Sequence, residues 1–192
     1  MHGKRRHMTT SQNINSGSYA QLENFDSVSY NCIKYLLDND EEIWKLLYYK
    51  TPDAWEKPII SYEQKTSLIY NGDDDTSKFN VFLDQGSPDV ITREDCILRI
   101  SPHSVFPENR TVVTLNIIFE VYSHYHINTL TNYKTRTDMI AQRIIQLFNG
   151  KNVVDGIGKL FFDRMGSEAN RLEWGSQTPH KGRWFILSTK AI

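Results

Sequence analysis

The run "TVVTLNIIFEVYSHYHIN", from Thr111 to Asn128, constrains the fold more than any other stretch. Its odd positions, Val113, Leu115, Ile117, Phe119, Val121, Ser123, Tyr125 and Ile127, are nearly all apolar. Its even positions, Val112, Thr114, Asn116, Ile118, Glu120, Tyr122, His124 and His126, are mostly polar. Successive strand side chains point to opposite faces, so a period of two predicts a strand that is buried on one side and wet on the other. A wet face favours antiparallel neighbours, because parallel strands are usually covered on both sides. The sixteen residues Val112–Ile127 are about three times an ordinary strand, and at roughly 3.3 Å each they reach ~50 Å. Such a strand either bends at a bulge or projects beyond the core.

The flanking segments supply the rest of an α+β domain. Asp26 or Ser27 caps a short helix with Val28, Cys32, Ile33, Leu36 and Leu37 on one side. Asn39 or Asp40 caps a second, with Ile43, Trp44, Leu46 and Leu47 as its apolar face and Pro52 beyond its end. A further short element is expected around Ser67–Tyr70. "DCILRIS" alternates as a strand from Asp95, and a loop with Pro102 and Pro107 follows it. After the long strand, "LTNYKTRTDMIAQRIIQLFNGK" has helical spacing, with Tyr133, Thr137, Ile140, Ile144, Leu147 and Phe148 on one face. Asn149-Gly150 stops that helix. "DGIGKLFFDRM" reads as a turn and a strand, and "GRWFILSTKAI" as a last strand. The predicted fold is a mainly antiparallel sheet, with an amphipathic helix packed across it and two short N-terminal helices. Residues 1–20 form a polar arm, residues 21–192 a single domain, and residues 164–181 a long irregular loop.

Composition narrows the function. The chain carries 22 basic and 23 acidic residues, a net charge of -1, which argues against a dedicated nucleic-acid binder. Cys32 and Cys96 sit among apolar neighbours and read as buried free thiols, which fits a reducing compartment. The apolar runs are too short to span a bilayer, and the N-terminal segment lacks the apolar core of a secretory signal.

Each candidate for chemistry meets a simpler alternative. His124 and His126, two apart on a strand, point the same way and can converge on a metal ion. His103, with Glu120 on the same face, would extend the set to the three or four ligands that zinc needs. That arrangement would make a metal-dependent hydrolase. Polar decoration of a wet or interface-facing sheet accounts for the same residues and is preferred. "NGDDDTSK" fails the calcium-loop pattern, with Lys78 where Gly is needed and Asp84 where Glu is needed, and reads as a solvated turn. No G-x-S-x-G elbow is present. Gly156 and Gly158 precede a strand rather than a helix, so a turn with a bulge is preferred to a phosphate loop. Lys134, Arg136 and Arg143 give the long helix a basic side, which is either a solvated face or a contact for DNA or an acidic neighbour.

The segments "NDEEIWKLLYYKTPDAW", "CILRISPHSV", "VVTLNIIFEVYSHYHINTLTNYKTRTDMIAQRIIQLFNG", "GIGKLFFDR" and "KGRWFILSTKAI" resemble small neck and tail-completion proteins of tailed bacteriophages. In these a long strand feeds an amphipathic helix that lies across the sheet, and further strands follow. Tail terminators are the nearest in kind, with head-closure and adaptor rings of the same neck as alternatives. The resemblance spans roughly residues 39–192. The basic N-terminal arm and the 164–181 loop depart from it. It implies a virion protein, assembled in the host cytoplasm, with no catalytic residue, resident metal or cofactor. Its partners would be copies of itself in a ring (a hexamer is one candidate), the tail tube protein, head connector or adaptor proteins, and DNA passing unbound through the lumen. Ring subunits meet head to tail, so two unlike surfaces must be adhesive. The candidates are Trp174 and its loop, and the wet strand face with Tyr122, His124 and His126.

Overall fold

The computed structural model describes residues 27–84, 93–109, 112–154, 158–162, 172–173 and 179–191. The proposed arm, Trp174 and most of the 164–181 loop lie outside the described residues. The elements in chain order are α1 (Val28–Asn39), α2 (Glu42–Tyr48), α3 (Tyr62–Ser67), β1 (Val81–Phe82), β2 (Cys96–Pro107) and β3 (Val113–His124). A single turn α4 (Tyr125–Asn128), α5 (Arg136–Phe148), β4 (Lys151–Val154), β5 (Gly158–Leu160), β6 (Leu172–Glu173) and β7 (His180–Ala191) complete them. One sheet runs β1-β2-β3-β7-β6 and a separate hairpin pairs β4 with β5. All pairings are antiparallel except β1 with β2. The fold is α+β, as the alternating pattern predicts.

The over-long strand is shorter than its pattern. It ends at His124, and the next four residues turn into α4, so His126 is not in the strand. It does not project either. β2, β3 and β7 are each 12 residues long and pair almost end to end, from Cys96↔Ser123 to Pro107↔Val113 and from His124↔His180 to Val113↔Ala191. The strand's length is therefore met by two equal neighbours, and the expected bulge lies on β2, where the register shifts between Pro102 and Ser104. β2 also runs through both prolines, where the sequence suggests a loop. Pro102 stands at that bulge and Pro107 at the last residue of the strand, positions where a proline costs the ladder little.

The odd register of β3 is buried throughout and forms the main core with residues of α1, α2 and α5. Phe119 lies at its centre, stacked on Phe185 at 5.3 Å and tilted against Phe148 of α5 at 5.5 Å. The even register is drier than predicted: Asn116, Tyr122 and His124 are buried, and Thr114, Ile118 and Glu120 are half-buried. A second, smaller cluster of Phe79, Phe82, Ile97 and Tyr122 forms on that face, with the Arg99 guanidinium 5.9 Å and 5.8 Å from the Phe82 and Tyr122 ring centres.

Helix α5 starts later than its periodicity suggests. Thr135 is its N-cap, accepting from the Asp138 N–H. Tyr133 falls in the preceding turn with φ 62 and is 93 % exposed, so it is not on the buried face. Gly150, at φ 75, ends the helix as expected. Asp40 caps α2 by accepting the Ile43 N–H at 2.7 Å. Gly158 has φ 92, and a Cβ there would meet the Lys190 carbonyl oxygen at 2.8 Å. This glycine lets β5 press against β7.

The Arg136 side chain is fully buried among main-chain carbonyls. Its Nε donates to Ile127 O at 3.0 Å, Nη1 to Tyr49 O at 2.7 Å and to Leu46 O, and Nη2 to Thr51 O at 3.0 Å. Leu46 and Tyr49 lie at the C-terminal end of α2, where carbonyls lack intrahelical partners and the helix dipole is negative. Substituting Arg136→Met strands these carbonyls, and we expect a loss of about 3–5 kcal/mol in urea unfolding, with far-UV circular dichroism checking that the fold persists. Both thiols are buried, and burial pushes Cys96 up to about 12 and Cys32 higher still. Neither should react with a thiol reagent such as Ellman's at pH 8 in the native protein, and both should react in denaturant.

Candidate functional site

Three consecutive residues before β2 prepare the site at the end of the sheet. Arg93 donates to the main-chain carbonyls of Thr76, Ser77 and Phe79, which pins it to the turn ahead of β1. Asp95 is buried, pairs with Lys50 and Arg93, and accepts the His124 N–H on its carbonyl at 3.0 Å. Glu94 lies between these two anchors with an exposed carboxylate, and its Oε1 is 2.8 Å from His126 Nδ1. That hydrogen bond holds the Glu94 carboxyl below the usual carboxylate range.

The histidines are placed by the abrupt end of β3. His124 is its last residue and the N-cap of α4, with Nδ1 accepting the His126 N–H at 3.3 Å. The turn swings His126 beside it, with ring centres 4.8 Å apart. Across the ladder His180 opposes His124 directly, with ring centres 5.3 Å apart. Among the described residues, Glu94, His124 and His126 are a group of possible metal ligands whose donor atoms lie within 4.8 Å of one another.

The set differs from the one the sequence suggests. His103 is the exposed extra residue of the β2 bulge, beside the Ile117 and Asn116 pairings, and so sits toward the far end of β3 from His124. Glu120 accepts from Tyr122 Oη at 2.6 Å and is not in the group. Glu94 replaces both, and no spacing rule could have found it, since its position follows from β2 pairing with β3. His180 was equally hidden: the sequence places it in the loop, whereas it opens β7.

The other candidate contact residues divide by burial. Tyr122 is 6 % exposed and belongs to the second apolar cluster, so it offers no surface to a partner; burial pushes its phenol pKa upward. Arg136 is committed to the α2 carbonyls, and Arg143 to the carboxylates of Asp40 and Glu42, so the basic side of α5 is internally neutralised. Lys134 is exposed but precedes the helix. The aspartates near Asn71 form an exposed turn in which Lys78 neighbours Asp73 and Asp75 at 3.9 Å and 3.3 Å, in keeping with a solvated turn.

Exposed apolar side chains gather elsewhere, on the helical flank. Tyr48, Trp55, Ile59 and Tyr62 are 38, 36, 66 and 60 % exposed. Tyr48 Oη accepts from Gln64 Nε2 at 3.2 Å, and Trp55 Nε1 donates to Thr131 Oγ1 at 3.0 Å, which brings the turn with Tyr133 to the same side. Their sequence signal was the 12 % share of aromatics, since large amphipathic rings suit contact surfaces as well as cores.

Among the described residues no helix is long and apolar enough to cross a membrane. No curated protein matches the chain at a significant level. A family model, YomW, matches residues 40–173, from the α1–α2 junction to β6. That span covers more than half of the chain and all three long strands but β7, and on it the protein belongs to the YomW family, a family of phage type.

Proposed function

We propose that this protein is a non-enzymatic structural subunit of a tailed-phage neck, acting as a tail terminator ring that caps the tail tube and joins it to the head connector. The observation that carries the reading is the layout β3–α5–hairpin–β7. A long central strand feeds a helix across the sheet and a closing strand returns beside it, as the resemblance to tail-completion proteins implies. Membership in a phage-type family supports the same setting.

Two unlike surfaces suit head-to-tail assembly. One is the aromatic flank with Tyr48, Trp55, Ile59, Tyr62 and Tyr133, whose rings bring large apolar area at little entropic cost. The other is the far end of β2, where Phe106 is 55 % exposed. Closure into a ring hides both from solvent. A near-neutral subunit also suits a lumen that lets DNA pass without gripping it. Head-closure and adaptor rings use the same kind of subunit, and binding to tail-tube ends separates the terminator from them.

Negative-stain imaging of the purified chain, alone and mixed with tail tubes, tests the reading. The expected result is closed rings, or rings formed on tube ends. The paired substitution Tyr62→Glu and Tyr133→Glu, both at exposed rings, should reduce ring formation by about tenfold or more and leave the far-UV spectrum unchanged. A chain that stays monomeric in the presence of tubes would overturn the proposal.

A further inference from the structure

The cluster at the end of β3 is not used by a neck role, and an exposed ion pair explains only part of it. The Glu94–His126 contact is half open to solvent and adds little to stability. It does not account for the two buried imidazoles behind it. His180 Nε2 lies 2.9 Å from the Arg93 carbonyl oxygen, which can only accept, so Nε2 carries the proton. Nδ1 is then an unprotonated lone pair, and it is buried without a hydrogen-bond partner on a residue only 5 % exposed. His124 is 6 % exposed, and its Nδ1 lone pair accepts the His126 main-chain N–H at 3.3 Å, a long contact that an ion bound at Nδ1 would replace. A neutral imidazole that donates through one nitrogen and is open at the other, as His180 does, is the form in which histidine binds metal.

The spacing agrees. Two imidazoles bound to one tetrahedral zinc ion at ordinary Zn–N lengths hold their ring centres about 5 Å apart. The His124–His126 and His124–His180 ring centres are 4.8 Å and 5.3 Å apart. The Glu94, His124 and His126 donor atoms, all within 4.8 Å of one another, need close by at most about 1.5 Å to reach ligand–ligand spacing. Glu94 and His126 are exposed and free to make that adjustment, whereas His124 is fixed by the sheet.

We propose that Glu94, His124 and His126 bind one divalent transition-metal ion of the zinc class, with the His180 lone pair completing the set. With four protein ligands the ion is structural: it clamps the segment before β2, the end of β3 and the start of β7 at the one place where all three meet. Its failure would leave the ring reading untouched, because that reading rests on other surfaces.

The test is calorimetric titration of the chelator-stripped full chain with zinc chloride, repeated with cobalt(II) for its tetrahedral absorption bands. The expected result is one equivalent bound and a raised melting temperature. Glu94→Gln and His126→Ala alter exposed side chains and should leave the fold intact while weakening binding by more than about tenfold. His180→Gln should weaken it as well and change the cobalt spectrum, and His103→Ala should change neither. An absence of stoichiometric binding overturns the site. So does binding that Glu94→Gln and His126→Ala leave unchanged, which would place the ion elsewhere on the chain.

Discussion

The Arg136 guanidinium holds the helical layer to the sheet. Helix α2 has only seven residues, too few to be stable alone, and its last carbonyls would be buried without partners. Arg136 meets two of them, adds Thr51 beyond the helix end, and ties all three to Ile127 in the turn after β3. A buried charge is costly unless it is fully hydrogen-bonded, and four main-chain acceptors at the negative end of a helix are that compensation. Lys65 repeats the device one helix earlier. It is 4 % exposed and reaches Leu37 O, Asp40 O and Glu41 Oε1 at the end of α1. Two short helices thus end on cations supplied from distant positions, and Asp40 between them caps α2 and pairs with Arg143 of α5.

This arrangement explains why the basic residues of α5 are not a surface track. Helix ends and a buried carboxylate consume Arg136 and Arg143, and Asp138 takes Arg183 from β7. Exposed apolar side chains lie instead on the flank that carries Trp55 and Tyr133. At the other end of the sheet, Tyr125 donates its N–H to Pro179 O as the chain turns out of β3, which leaves His124, His126 and Glu94 together with His180 across the ladder.

Much of this was legible where a residue's neighbours in sequence decide its place. The odd register of β3 is buried as its alternation demands, and Asn149-Gly150 ends α5 where a left-handed glycine should. Reading failed where a strong local pattern met a tertiary boundary. Period two continues through Tyr125 and Ile127, yet the strand ends first, because a strand persists only as far as its neighbours pair with it. Helical spacing includes Tyr133, yet the Thr135 cap starts the helix later. Pro102 and Pro107 read as a loop, but a bulge and a strand end tolerate them.

The sequence by itself determined the class of fold, the strands around Phe119, the helix that crosses them and the burial of both thiols. These depend on period, capping and apolar content, which are local properties of a chain. Only the tertiary structure decided that Arg136 is internal, that Tyr122 is dry, and that Glu94 rather than His103 stands beside His124 and His126. Each of those depends on which strand lies next to which, and register is set by the whole sheet at once: a shift of β2 by one residue would carry its side chains to the other face and separate Glu94 from the histidines.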